Sequence, residues 1–181
     1  MNSKLLFLTF FIVFSLIHIN TMAQEAITPR PSPTAIVTMK YDDTYVKLTY
    51  SQPHKRGRDI FGTLVPYGHV WRTGANEATE ITLTGNVLMN GDTLKAGTYS
   101  IFTIPQKEKW TIIINDELGQ WGSYNYHQDS DVMRFDVPVE KTQSVVWEPF
   151  TMAFEQKNEE AALLIMWDQT KVSIPIQFLT L

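Results

Sequence analysis

Over much of its length the chain alternates apolar and polar residues with a period of two. Val46, Leu48 and Tyr50 alternate with Lys47 and Thr49. Met133, Phe135, Val137 and Val139 alternate with Arg134, Asp136 and Glu140, and Val172, Ile174, Ile176 and Phe178 with Lys171, Ser173 and Gln177. Successive strand side chains point to opposite faces, so each segment offers one dry face and one wetter one. Turn chemistry separates the segments. Asp42-Asp43 divides two of them, and Asn90-Gly91 is the dipeptide that a type I′ hairpin favours. Residues 106–109, 157–160 and 168–171 join further pairs. Pro175 interrupts the last segment, which suits an edge strand or a bulge because proline has no N–H to donate. The expectation is about ten strands and no long helix. The one helical candidate is a short turn over residues 59–65, with Asp59 as N-cap and Pro66 closing it.

Many short strands with regular turns predict an all-β antiparallel β-sandwich, of jelly-roll or immunoglobulin-like type, with a closed barrel as the alternative. Composition supports a packed domain. The chain is 44% hydrophobic and has no cysteine, so its core must hold without disulfides. A formal charge of −4 argues against a general electrostatic hold on nucleic acid. At the amino end, Lys4 precedes an apolar run over residues 5–19, and Met22-Ala23 offers a small-residue exit. This describes a secretory signal peptide over residues 1–23. The run is short of the roughly 20 residues that a membrane span needs, so no span is expected in the mature chain. Residues 24–33, with Pro29, Pro31 and Pro33, read as a mobile proline-rich leader. Residues 34–181 then form one domain, and the protein is expected to be exported, either to the periplasm or to the medium.

One segment breaks the alternation. Between Tyr50 and Glu80 lie about thirty residues, where connections beyond about 15 are uncommon and are often functional. Phe61, Val65, Tyr67 and Trp71 give this loop material to pack down, so it is expected to be ordered. The run GRDIFGTLVPYGHVWRTGANEATEI, followed by LKAGTYSIFTIP, WTIIIN and GQWGSYNY, resembles the DUF2911 family over roughly residues 32–139. That family is a set of exported bacterial proteins, common in Bacteroidetes, with no assigned activity. The resemblance implies a β-sandwich outside the cytoplasmic membrane and supplies no catalytic residues.

The reactive side chains have to be weighed one by one. Arg72, Asn76 and Glu77 in WRTGANEAT can grip a polar ligand in a bidentate manner, or can knot together internally and hold the loop. Trp71 offers a stacking face. His54 and His69, with Glu77 or Glu80, are weak candidates for a metal site, since loop spacing guarantees no geometry, and no metal is expected. His69 is also a candidate general base, because imidazole exchanges protons near neutral pH. Trp121, Tyr124 and Tyr126 can line a carbohydrate platform or belong to the core. Asp129 and Asp131 fall well short of a calcium shell. Lys55, Arg56 and Arg58 form a basic cluster that is either solvated or able to meet a phosphate or sulfate group. No phosphate-binding glycine loop, nucleophile elbow or dinucleotide fingerprint is present, and no cofactor is expected.

The leading expectation is therefore an exported domain that binds a small polar or glycan-like molecule through the 51–79 and 120–127 loops. Its expected contacts are Arg58, Trp71, Arg72, Asn76, Glu77, Trp121 and Tyr124. A hydrolase or lyase using His69 and Glu77, and a structural envelope-interaction domain, are the alternatives.

Overall fold

The computed structural model describes residues 28–179. The expected signal peptide, and residues 24–27 of the expected leader, lie outside the described residues. Within them the period-two segments become strands: β1 Thr34–Tyr41, β2 Thr44–Ser51, β3 Thr79–Leu83, β4 Val87–Met89, β5 Asp92–Leu94, β6 Gly97–Pro105, β7 Lys109–Asn115, β8 Asp131–Lys141, β9 Trp147–Lys157, β10 Glu160–Asp168 and β11 Thr170–Phe178. The eleven strands form one antiparallel ladder in the order β1-β2-β3-β6-β7-β8-β11-β10-β9, with the β4–β5 hairpin attached to β11. The two ends of the ladder come together. Gln156 on β9 donates from Nε2 to the Lys40 carbonyl on β1 at 3.4 Å, so the sheet is barrel-like and nearly closed. The all-β antiparallel class is thus as the alternation implies.

The dry faces point inward as expected. Val46, Leu48 and Tyr50 are buried, as are Val172, Ile174, Ile176 and Phe178. The Asn90-Gly91 turn has φ of 52° and 93°, the left-handed pair that a tight hairpin with right-handed twist requires. β8 is shared between two parts of the ladder. Its residues from Asp131 to Pro138 pair with β7, and Val139–Lys141 pair with Val172–Thr170 of β11. β6 and β7 are buried on both faces. Ile101, Ile112 and Ile114 enter the main core. Phe102 and Ile113 point the other way, where Ala78, Val70 and Tyr126 cover them.

Two local expectations need correction. Residues 59–65 form turns and not a helix. Val65 N donates to Ile60 O at 2.9 Å, while Gly62, with φ of 93°, turns the chain so that its own N–H donates back to Val65 O at 2.8 Å. The only helical element among the described residues is a 3-10 turn at Gln128–Ser130. Pro175 lies neither on an edge nor at a bulge. It faces Ala162 of β10 in regular register, in a strand flanked on its other side by β8 and then by β4. A strand residue directs its N and O to the same side, and Pro175 O accepts from Asn90 N at 2.9 Å. The missing donor therefore faces the turn of the β4–β5 hairpin and not the β10 ladder. Among the described residues no helix is long and apolar enough to cross a membrane.

Candidate functional site

The connection between β2 and β3 is held down by aromatic packing. Trp71 is buried and stacks on Trp167, with centroids 6.1 Å apart and planes at 15°. It meets Phe61, Trp110 and Phe150 edge-on, at 6.1, 6.0 and 5.3 Å. Its indole Nε1 donates to Gly74 O at 3.1 Å, and its backbone exchanges two hydrogen bonds with Thr103 of β6, at 2.7 and 2.9 Å. These contacts account for the order of a segment that has no strand of its own, and they place Trp71 in the core and on the lining of a recess.

The loop after β7 is stitched to this segment. Ala78 N donates to Gln120 O, Gly122 N donates to Asn76 O, and the Ser123 hydroxyl donates to Val70 O, at 2.8, 3.0 and 3.1 Å. The loop is also knotted within itself. The Glu117 carboxylate accepts from Gln120 Nε2, Ser130 Oγ and His127 Nδ1 at 2.9, 2.9 and 3.0 Å, and the His127 bond foremost holds its pKa below the ordinary carboxylate value. Asn115 ties the far end by donating to His127 O and Asp131 Oδ1, both at 3.0 Å. Nothing in the residue pattern points to this knot, although its members all lie between Asn115 and Asp131, because their spacing fits no regular period.

Between the two loops opens a recess of about 350 Å³. Arg58, His69, Trp71, Arg72 and Tyr124 line it, together with the apolar Leu64, Val65, Pro66 and Trp167. Arg72 Nε is buried without a hydrogen-bond partner among the described residues. Burial lowers the Arg72 pKa from its ordinary value, and the neighbouring Tyr124 hydroxyl acts in the opposite direction. Arg58 is anchored from its own loop: Nε donates to Lys55 O at 2.9 Å and Nη2 to His54 O at 2.6 Å. His69 Nδ1 lies 2.9 Å from Tyr67 O. A carbonyl can only accept, so Nδ1 carries the proton in that bond, and Nε2 has no partner among the described residues. Tyr124 is the most exposed aromatic of the site, at 84%.

The remaining expected residues lie elsewhere. Glu77 turns away from Arg72 and is clamped by Arg30 Nη1 at 2.7 and 2.8 Å, on the wall of a second recess that also holds Glu80. These bonds from Arg30, foremost, depress the Glu77 pKa. The Arg72–Glu77 knot is accordingly not formed. Asn76 Nδ2 donates to Ser32 O at 3.2 Å and to Ser51 Oγ at 3.4 Å, which is a structural role. Trp121 is exposed and carries the Arg30 guanidinium 6.0 Å from its ring centroid. Arg30 and Ser32 are thus docked by side-chain and backbone bonds. His54 Nδ1 donates to Glu148 Oε2 at 3.0 Å, whereas His69 lines the first recess. Among the described residues no group of three or more His, Asp or Glu side chains converges as metal donors. His69 and Glu77, the pair expected for hydrolysis or elimination, line different recesses.

Neither a curated protein nor a solved structure matches the chain. A family model described as a protein of unknown function, DUF2911, matches residues 32–176. That span takes in every strand from β1 to β10, most of β11 and both loops that line the recess, and on it the chain belongs to the DUF2911 family.

Proposed function

We propose that the protein is an exported β-domain whose 51–79 and 120–127 loops form a receptor site for a small polar or glycan-like molecule. The observation that carries this reading is the recess itself. Arg72 lines it with a guanidinium whose buried Nε has no partner among the described residues, and the site has an aromatic wall, in a segment that the rest of the fold holds in place. A cavity of about 350 Å³ falls in the range of small-molecule sites, roughly 300–1,000 Å³. Buried polar groups are nearly always satisfied, and the two exceptions among the described residues are Arg72 Nε and Gln120 Oε1; a ligand that engages the guanidinium would account for the first. The separation of His69 from Glu77 gives the hydrolase or lyase alternative no assembled pair.

Export rests on residues 1–23, where the charged start, apolar run and Ala23 exit match a cleavable signal. The nearly closed ladder is read as a flattened sandwich, with β1, β2, β3, β6 and β7 on one side and β9, β10 and β11 on the other. The support is that β8 meets β11 over only three residue pairs.

The test is a thermal-shift and NMR screen of the purified protein against neutral sugars, acidic sugars, amino acids and nucleosides. Hits that shift the Trp71 indole N–H signal, and lose affinity in Tyr124→Ala, support the site. Hits that act only on residues remote from both loops would sink it. For export, the mass of the protein recovered outside the cytoplasm should correspond to a chain starting at Gln24. Recovery of uncleaved chain from the cytoplasm alone would contradict that part.

A further inference from the structure

The recess between the two loops differs in charge from the rest of the molecule. Its basic lining groups are Arg58, Arg72 and His69, and no described carboxylate lines it, although the chain as a whole carries a formal charge of −4. The neighbouring recesses are different in kind: one has Glu77 and Glu80 in its wall, and another has Asp59 and Asp168. Five described cations outside the recess pair with the protein's own acids, Lys171 with Glu140 among them. Arg30 has Glu77, Lys55 has Asp168 at 2.5 Å, Lys109 has Asp136 at 2.5 Å, and Arg134 has Asp131 at 2.8 Å. Arg72 and Arg58 have no carboxylate partner among the described residues.

We infer that this recess binds the oxyanion group of a small molecule, a carboxylate or a phosphate or sulfate, with Arg72 as its principal contact and Arg58 in support. The inference rests on the site proposed above and adds its ligand class. Three features make the chemistry specific. First, a guanidinium presents a planar fork of donors that matches an oxyanion, and here its Nε is already stripped of water with nothing in exchange. Second, the Arg58 fork is held by two backbone carbonyls through Nε and Nη2, so its remaining N–H groups are aimed without further ordering. Third, Tyr124 and Trp71 provide an apolar wall for whatever body carries the anion. His69, whose Nε2 has no partner among the described residues, lies on the same lining and is available to a hydroxyl of that body. A bare neutral sugar would satisfy the wall and leave the guanidinium unpaired.

The experiment is NMR of the arginine Nε–H signals of the purified protein, with the Arg72 signal assigned by its loss in Arg72→Lys. Sodium phosphate, glucuronate and glucose are titrated separately, with sodium chloride at matched ionic strength as control. The expected result is a saturable shift of the Arg72 signal with phosphate or glucuronate and none with chloride. Glucose should bind at least tenfold more weakly. Response to phosphate alone assigns a phosphate- or sulfate-bearing ligand; response to glucuronate assigns a carboxylate. Arg72→Met and Arg58→Gln, each checked for unchanged melting, should weaken the binding at least tenfold and severalfold respectively. Equal binding of glucose and glucuronate, or full binding by Arg72→Met, would overturn the anion inference and leave the recess as a neutral site. Silence of the Arg72 signal to phosphate and glucuronate would overturn the anion inference, and silence of the Trp71 signal across the whole screen as well would overturn both readings.

Discussion

Replacing Trp71 with alanine tests how the β2–β3 connection is held. The ring is 7% exposed and contacts four other aromatic rings, and its Nε1 satisfies the carbonyl of Gly74. Deleting a buried Trp or Phe side chain costs about 3–5 kcal/mol, the spread reflecting how far the site can collapse. Collapse is restricted here, because Trp71 is bolted to Thr103 through both its N–H and its carbonyl, and its neighbours Trp110 and Trp167 are themselves fixed in strands. The upper half of that range applies, about 4 kcal/mol. Domains carry in all roughly 5–15 kcal/mol, so the variant should lie near the limit of folding. At about 2–4 °C per kcal/mol for a domain of this size, its melting point should drop by about 8–16 °C. Trp71→Phe retains most of the ring contact and gives up one hydrogen bond, for about 1–2 kcal/mol. The assay is urea unfolding followed by far-UV circular dichroism, since removing a tryptophan alters fluorescence, with trypsin cleavage around Lys55 and Arg56 as the local readout. A Trp71→Ala protein within about 1 kcal/mol of the parent would show that the loop is held by something else, and the account of an ordered recess would fail with it.

Three further perturbations separate individual contacts. Gly62→Ala forces a Cβ at φ of 93° to within 2.7 Å of Tyr67 Cε2, whereas Gly57→Ala meets nothing within 4 Å at φ of 71°; the first should lose about 1–2 kcal/mol more than the second, and equal melting temperatures would refute the packing argument. Burial, followed by the bond to Asp131, pushes the Tyr126 phenol up to about 12, so the native state holds a proton that the unfolded chain releases from its ordinary value upward. Stability should therefore be complete below that ordinary value and fall as pH rises through the native one, and a denaturation series in which Tyr126→Phe retains the parent's alkaline slope would contradict the assignment. Glu77 titrates in the opposite sense: its pKa is depressed by Arg30, so its contribution is present above the ordinary carboxylate value and disappears as pH falls through the native one. Glu77→Gln should cost well under about 1 kcal/mol near neutrality, as suits an exposed pair, and nothing at the acid end; a loss that is the same at both pH values would disprove the ion pair as its cause.

The faces of the strands were legible because burial on one side of a sheet imposes a period of two, and a slip of one residue would expose every apolar side chain. The same rule was silent on β6 and β7, where IFTI and TIII are apolar without alternation because the loop covers their outer face. The helix expected at residues 59–65 has good local end signals, Asp59 and Pro66. Those signals lose to tertiary packing: Phe61 must reach Trp110, whose ring centroid lies 4.9 Å away, and Gly62 bends the chain to let it. Arg72, Asn76 and Glu77 looked like one grip because they are close in sequence. The chain between them takes left-handed values at Thr73 and Asn76, φ of 55° and 58°, and Glu77 then bridges to Trp121, so the side chains diverge. The Arg30–Glu77 pair joins residues 47 positions apart and has no sequence signature at all.

The placement of the pins explains why the recess can be both rigid and open. One side is held by Trp71 and its ring partners beneath the surface, and the other by the Glu117 carboxylate and its three donors behind the loop. Neither set uses Arg72, Arg58 or Nε2 of His69. A molecule entering the recess thus meets walls already ordered, and the cost of fixing side chains on binding falls mainly on the exposed Tyr124. The same division makes the arginine test clean. Trp71→Ala removes a pin and should lower stability, and with it the shape of the recess. Arg72→Met retains the apolar stem and deletes only the unpartnered fork, so it should leave stability equal to the parent's or slightly higher, because a buried donor without an acceptor is no longer present. A clear loss of stability in Arg72→Met would mean that the guanidinium is part of the scaffold after all, and the recess would then have no charged group to spare for a ligand.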